Sequence, residues 1–170
     1  MGLGHSYNPM YRAEQDVSQL AKLMDFAKVT MYHNVAGERL VKYIDNLGAS
    51  MLADLPKQQL LEFTYRTSGF NESSTYEQLH ATGLSADYVY REAKRSVENA
   101  TIPSLRIYAG IDAGLPTDPK SLKTPAESTK EGVLAALRGG AHGIILSRKY
   151  SEMNLANLSA AGAAVKESVD

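Results

Sequence analysis

Apolar residues fall into two rhythms along this chain, one of strands and one of helices. From Leu105 to Ile111 (LRIYAGI) the residues form a β-branched and apolar run, which predicts a strand buried on both faces. The run ends in Asp112-Ala113-Gly114 and a Pro-rich loop. Thr124, Pro125 and Glu127 then read as helix N-cap, first helical residue and capping-box partner. Val133, Leu134 and Leu137 supply an apolar face, and Gly139-Gly140 places a left-handed stop. Gly143 to Leu146 predicts a second buried strand, running out into Ser147-Arg148-Lys149-Tyr150. Strand, helix, strand makes a βαβ unit with parallel strands. Chemistry in such units collects at the carboxyl ends of the strands, which singles out Asp112 and the segment from Ser147 to Glu152.

The remaining pattern extends this unit in both directions. Gly2 to Ser6 reads as the tail of a strand, and Tyr11 to Leu23 as a helix with Val17, Leu20 and Leu23-Met24 as apolar contacts. Phe26 to Tyr32 predicts another strand, with His33-Asn34 at its carboxyl end. A mostly helical excursion follows. Its first helix runs from Gly37 to Met51 on a stripe of Leu40, Ile44, Leu47 and Met51. Its second starts near Leu55-Pro56 and uses Leu60, Leu61 and Tyr65; a polar loop from Gly69 to Thr82 separates it from a third, capped by Ser85, with Val89, Ala93 and Val97 on one face. A closing helix is expected over Asn154 to Glu167, with Leu155, Leu158, Ala161 and Val165 as its apolar positions. Four strands each followed by helix, joined by right-handed crossovers, give a parallel sheet with extra helices between the second and third strands. An eight-stranded barrel takes about 250 residues. The expected fold is therefore α/β, four βα units forming a partial (half) TIM barrel, with residues 1–170 as a single domain.

Composition narrows the function more than it names it. A net charge of −1 argues against a dedicated nucleic-acid binder. No apolar run is long enough to span a bilayer, and the first residues lack the basic and apolar regions of a signal peptide. A soluble chain is expected, in a compartment left open. With no cysteine there is neither a disulfide nor thiolate chemistry. No cofactor is expected. The Asn-x-Ser/Thr sequons at Asn71, Asn99 and Asn157 read as chance matches.

The segments HSYNPMYRAEQD, VTMYHNVAGERL, DLPKQQLLEF, RIYAGIDAGLP and GAHGIILSRKYSEMNLANL are spread over nearly the whole chain. On these segments the chain resembles the C-terminal part of TIM-barrel hypothetical glycoside hydrolases, related in style to the β-galactosidase-like barrel group. The resemblance implies a barrel fold and a carbohydrate-directed role. It also implies that the strands are the last four of eight, which places Asp112 after strand seven, where many retaining enzymes of this fold carry the nucleophile. Their acid/base lies after strand four, on the half not represented. Because the chemistry needs two carboxyl groups, the half alone is expected to be incomplete, or to pair with a second copy.

Asp112 is accordingly the candidate catalytic carboxylate, as nucleophile, general base or sugar-hydroxyl acceptor; an aspartate there also suits turn capping. His5, His33 and Asn34 follow strands on the same face and are candidates for positioning a sugar. A metal site from His5, His33 and Asp112 is conceivable, but no local ligand motif supports it and none is expected. Tyr7, Tyr32 and Tyr150 offer flat rings and hydroxyls at the rim, with ordinary packing as the alternative. Arg148 is a candidate anion clamp, paired against the option of an Arg148–Glu152 tie that fixes the loop. Three readings follow: a carbohydrate-active half-barrel; a non-catalytic half-barrel that forms a homodimer through its open sheet edges; and a small-molecule or phosphate-binding α/β domain.

Overall fold

The computed structural model describes residues 2–3, 19, 21–100, 102–114, 123–147 and 153–169. It is a mixed α/β structure built on a parallel open sheet, in the order β1-β2-β3-β4, with six helices. Strand β1 (Gly2–Leu3) contributes only two residues, paired with Lys28 and Val29. Strand β2 (Phe26–Thr30) pairs in parallel with β3 (Arg106–Asp112), and β3 with β4 (Gly143–Ser147), so that Asp112 lies beside Ser147.

Alternation along β2 and β3 decides where the core sits. Ala27, Val29, Met31, Ile107, Ala109 and Ile111 share one face and belong to one buried cluster with the helices. Phe26, Lys28, Thr30, Arg106 and Tyr108 share the other, where Phe26 is 44% exposed and Lys28, Thr30 and Tyr108 are half-buried. Between β2 and β3 run α1 (His33–Gly48), α2 (Lys57–Ser68), the single turn α3 (Leu79–Thr82) and α4 (Ala86–Glu98). Helix α5 (Ala126–Arg138) joins β3 to β4, and α6 (Leu155–Glu167) packs on α5.

Most predicted elements are present, with instructive shifts. Leu105–Ile111 becomes Arg106–Asp112, and Ser85 caps α4 as expected, its Oγ accepting from Asp87 N at 3.2 Å. The stop after α5 uses Gly140 at φ 90°, where Gly140 N–H reaches Leu137 O and Ala141 N–H reaches Ala136 O. Several expectations are corrected. Helix α1 starts at His33, not Gly37, so His33 and Asn34 form its first turn rather than ending the strand. The capping box at Thr124 and Glu127 does not form: Pro125 is the N-cap of α5, without a side-chain cap, because the Thr124 hydroxyl turns to Asp112. In α6 the inward face is Asn157, Ala161 and Ala164, leaving Leu155, Leu158 and Val165 exposed. The small residues let α6 lie close on α5, which larger side chains would prevent. Strand β4 is only half-buried through Leu146, since among the described residues it ends the sheet. The predicted polar loop from Gly69 to Thr82 contains α3, anchored by the buried Leu79. The helix expected over Tyr11 to Leu23 lies mostly outside the described residues; Ala21–Leu23 is a 3-10 turn.

Candidate functional site

The ends of β2 and β3 meet the start of α1, and Asp112 makes the junction. Helix α1 has no side-chain cap of its own at Tyr32. The Asp112 carboxylate takes that role from across the sheet: Oδ2 accepts from Val35 N–H at 3.3 Å and from the Thr124 hydroxyl at 3.5 Å. Negative charge at a helix N-terminus is favourable there. Asn34 Nδ2 donates to Oδ1 at 3.4 Å, and His33 Nδ1 lies 3.4 Å from the same oxygen. The His33 contact has ion-pair distance without hydrogen-bond alignment. Both side chains are buried, Asp112 at 0% and His33 at 2% exposure.

A chain of contacts continues from His33 to the first turn of α5. Its Nε2 lies 2.8 Å from Ser128 Oγ, and the Ser128 hydroxyl also reaches Asn34 Oδ1 at 2.8 Å. One hydroxyl proton thus has two acceptors in range. Donated to His33, it leaves serine oxygen and imidazole arranged for proton transfer; donated to Asn34, it leaves Nε2–H to point at Ser128. Gly132 explains how the ring comes so near the helix. A Cβ there would fall 2.7 Å from His33 Cε1. A mid-helix glycine costs about 1 kcal/mol relative to alanine, and the seat for His33 is what that cost accommodates.

A second cluster lies on the polar side of the sheet. Lys28 Nζ donates to Tyr32 Oη at 2.7 Å and to Ser147 Oγ at 2.8 Å, and the two hydroxyls are 2.6 Å apart. Gly110 makes room: a Cβ there would sit 2.6 Å from Lys28 Cε. Arg39 lies 5.8 Å from the Tyr32 ring centre, and Lys28 Nζ 5.2 Å.

The excursion brings a further carboxylate toward His33. Leu84 N–H donates to His33 O at 2.8 Å, folding the 72–85 segment over the start of α1. Within it Glu72 accepts from the Ser85 backbone at 3.0 Å and its hydroxyl at 2.8 Å. Burial pushes the Glu72 carboxyl above its ordinary value, and the hydrogen bonds from Ser85 act the other way.

Of the residues singled out from sequence, Asp112, His33 and Asn34 come together. Tyr32 is beside them on the polar face, bound to Lys28 rather than standing free at the rim. His5, Tyr7, Arg148, Tyr150 and Glu152 lie outside the described residues. Among the described residues no group of three metal-ligating side chains occurs. Ser147 opens the strand-end segment expected from sequence, whereas Ser128, Lys28 and Glu72 were not singled out. Two signals pointed to them: a glycine inside the predicted α5, and a lysine inside a predicted strand. The chain matches no protein-family model, no curated protein and no solved structure. No helix among the described residues is long and apolar enough to cross a membrane.

Proposed function

We propose that this chain is a carbohydrate-directed, glycoside hydrolase-like α/β domain, corresponding to the C-terminal half of a (β/α)8-type barrel. The observation that carries the proposal is the Asp112–His33–Ser128 series, with Asp112 and His33 buried, where the carboxyl end of β3 meets the first turns of α1 and α5. Strand ends of this kind are where barrels assemble their chemistry. The sequential strand order is also that of a barrel segment.

Glycoside hydrolysis needs a proton donor for the leaving oxygen and a second carboxyl group. Glu72, its carboxyl pushed up by burial, has the character of the donor. Asp112 is the second carboxyl group, but its full burial changes the role first expected of it. It acts as a positioning residue, holding α1 and His33, so the attack on the anomeric carbon falls to a water that gives its proton to His33 through Ser128 while Glu72 protonates the leaving oxygen. The relay opens to solvent at Ser128, which is only half-buried, so a water can reach it.

The test is hydrolysis of a panel of aryl glycosides by wild type, Asp112→Asn and His33→Ala, with glycan binding measured in parallel. Lower kcat at little-changed KM is expected for Asp112→Asn. A folded wild type that neither binds nor cleaves any member of the panel overturns the reading. A second reading, a self-associating half-barrel, is favoured by Phe26 on the sheet face away from the helices and by the outward Leu155, Leu158 and Val165. Light scattering decides it: a concentration-stable dimer supports it, and a monodisperse monomer removes it.

A further inference from the structure

We infer that Lys28, Tyr32, Ser147 and Arg39 form a binding site for the oxyanion group of a small molecule, a carboxylate or a phosphate. The argument is an account of donors and acceptors. Lys28 directs two of its N–H groups to the Tyr32 and Ser147 oxygens. Those hydroxyls are also bonded to each other at 2.6 Å. That contact consumes one hydroxyl proton, whichever oxygen gives it, and leaves the other for a further acceptor. The third Lys28 N–H likewise has no acceptor among the described residues. The cluster is left with two free donors against one free lone pair, an excess of donors.

Charge leads to the same class of ligand. Among the described residues no carboxylate lies within ion-pair distance of Lys28 or Arg39, although both flank the Tyr32 ring. Asp112 is the nearest acidic residue in register, paired with Ser147 in the sheet, but its oxygens are taken up at the start of α1. A half-buried ammonium without a counter-ion carries a desolvation cost that an incoming anion relieves. Lys28 and Ser147 lie on the sheet face opposite the helices, with Tyr32 just past the carboxyl end of β2, Ser147 at that of β4, and Arg39 reaching the Tyr32 ring from α1. Gly110 keeps the space around the lysine stem open, since any Cβ there meets Lys28 Cε at 2.6 Å.

The inference rests on this geometry and not on the glycoside reading. Where both hold, the substrate is an acidic sugar. The experiment is calorimetric titration of the full chain with inorganic phosphate, glucuronate and glucose, at low and high salt. Binding of phosphate or glucuronate is expected, weakened by salt, and about tenfold weaker in Lys28→Met. Tyr32→Phe is expected to weaken it less, because the Lys28 charge remains. An amide or Nζ resonance shift of Lys28 on adding the anion reports the same event without a variant. It stands in for Lys28→Met if that protein does not fold. Glucuronate alone identifies an acidic sugar as the source, and phosphate alone identifies a phosphorylated or free phosphate ligand; both support the site. Absence of binding by both anions overturns it, as does binding that is unchanged in a folded Lys28→Met. Glucose binding that is indifferent to Lys28, with neither anion bound, supports the carbohydrate reading and removes this one. Anion binding with no response to any glycoside does the reverse.

Discussion

The two faces of the sheet follow opposite rules. On the helix-covered face Ala27, Val29, Ile107, Ala109 and Ile111 are at most 5% exposed. Across β2 and β3, one residue out of step, stand Phe26, Lys28, Thr30, Arg106 and Tyr108, exposed or half-buried. The first face is made of small and branched side chains that fill space between strand and helix. The second carries a lysine, two hydroxyl-bearing residues and aromatic rings, with Phe26 and Tyr108 tilted together at 5.5 Å. Stability is therefore lodged on one side of the strands. The other side, with the strand ends, is where polar groups can be spent on ligands. Asp112, at the strand end, belongs to both: fully buried like the core, but engaged only with polar partners.

The largest contrast should come from truncation. Ile111→Ala is expected to cost about 2–5 kcal/mol, whereas Thr30→Ala on the opposite face should stay within about 0.5 kcal/mol. Urea unfolding of both variants measures it, and equal losses would break the distinction between faces. Asp112→Ala comes next. It strands the Val35 N–H and the Asn34 and Thr124 donors, at a cost of about 1–3 kcal/mol. The accompanying change should be fraying at the start of α1, read by amide hydrogen exchange of Val35. Gly132→Ala sharpens the comparison further. Helix propensity gains about 1 kcal/mol, while the His33 ring must leave its seat. The expected outcome is a small net stability change with a large shift of the His33 ring resonances.

The smallest effect is a pH dependence. The Glu72 carboxyl is held above its ordinary value in the folded chain, so the folded state binds its proton more tightly than the unfolded state does. Its contribution is fully present below the unfolded carboxylate value and is lost as pH rises through the raised folded value. Glu72→Gln should flatten that decline. Unfolding curves taken at closely spaced pH values across the carboxylate range test it; an unchanged slope would remove Glu72 as the source.

The β3-α5-β4 unit was legible in the sequence because its signals are local: an apolar run, a glycine stop, a second apolar run. The start of α1 was not, because its cap is Asp112, distant in sequence, and no residue near Tyr32 announces it. The same reason hid Thr124, whose hydroxyl serves Asp112 instead of its own helix. In α6 the leucine pattern was read as the inward face, yet the buried residue Asn157 donates to Thr124 O at 3.0 Å and ties that helix to the strand end. The strand-end reading did bring Asp112, His33 and Asn34 into one neighbourhood, although His33 and Asn34 belong to the first turn of α1. The serine and lysine partners were hidden because long-range side-chain contacts leave no periodic trace.

The uneven spacing of the strands along the chain bears on how the molecule forms. Among the described residues one helix separates β3 from β4, whereas four separate β2 from β3. The extra loop-closure entropy is under about 1 kcal/mol, since that cost grows only with the logarithm of length. Rate is affected more than stability, because contacts distant in sequence form late. The β3-α5-β4 unit is thus the natural nucleus. Strand β2 is expected to dock onto it afterwards, so that the strand-end site, whose groups come from both sides of that long connection, forms late in folding.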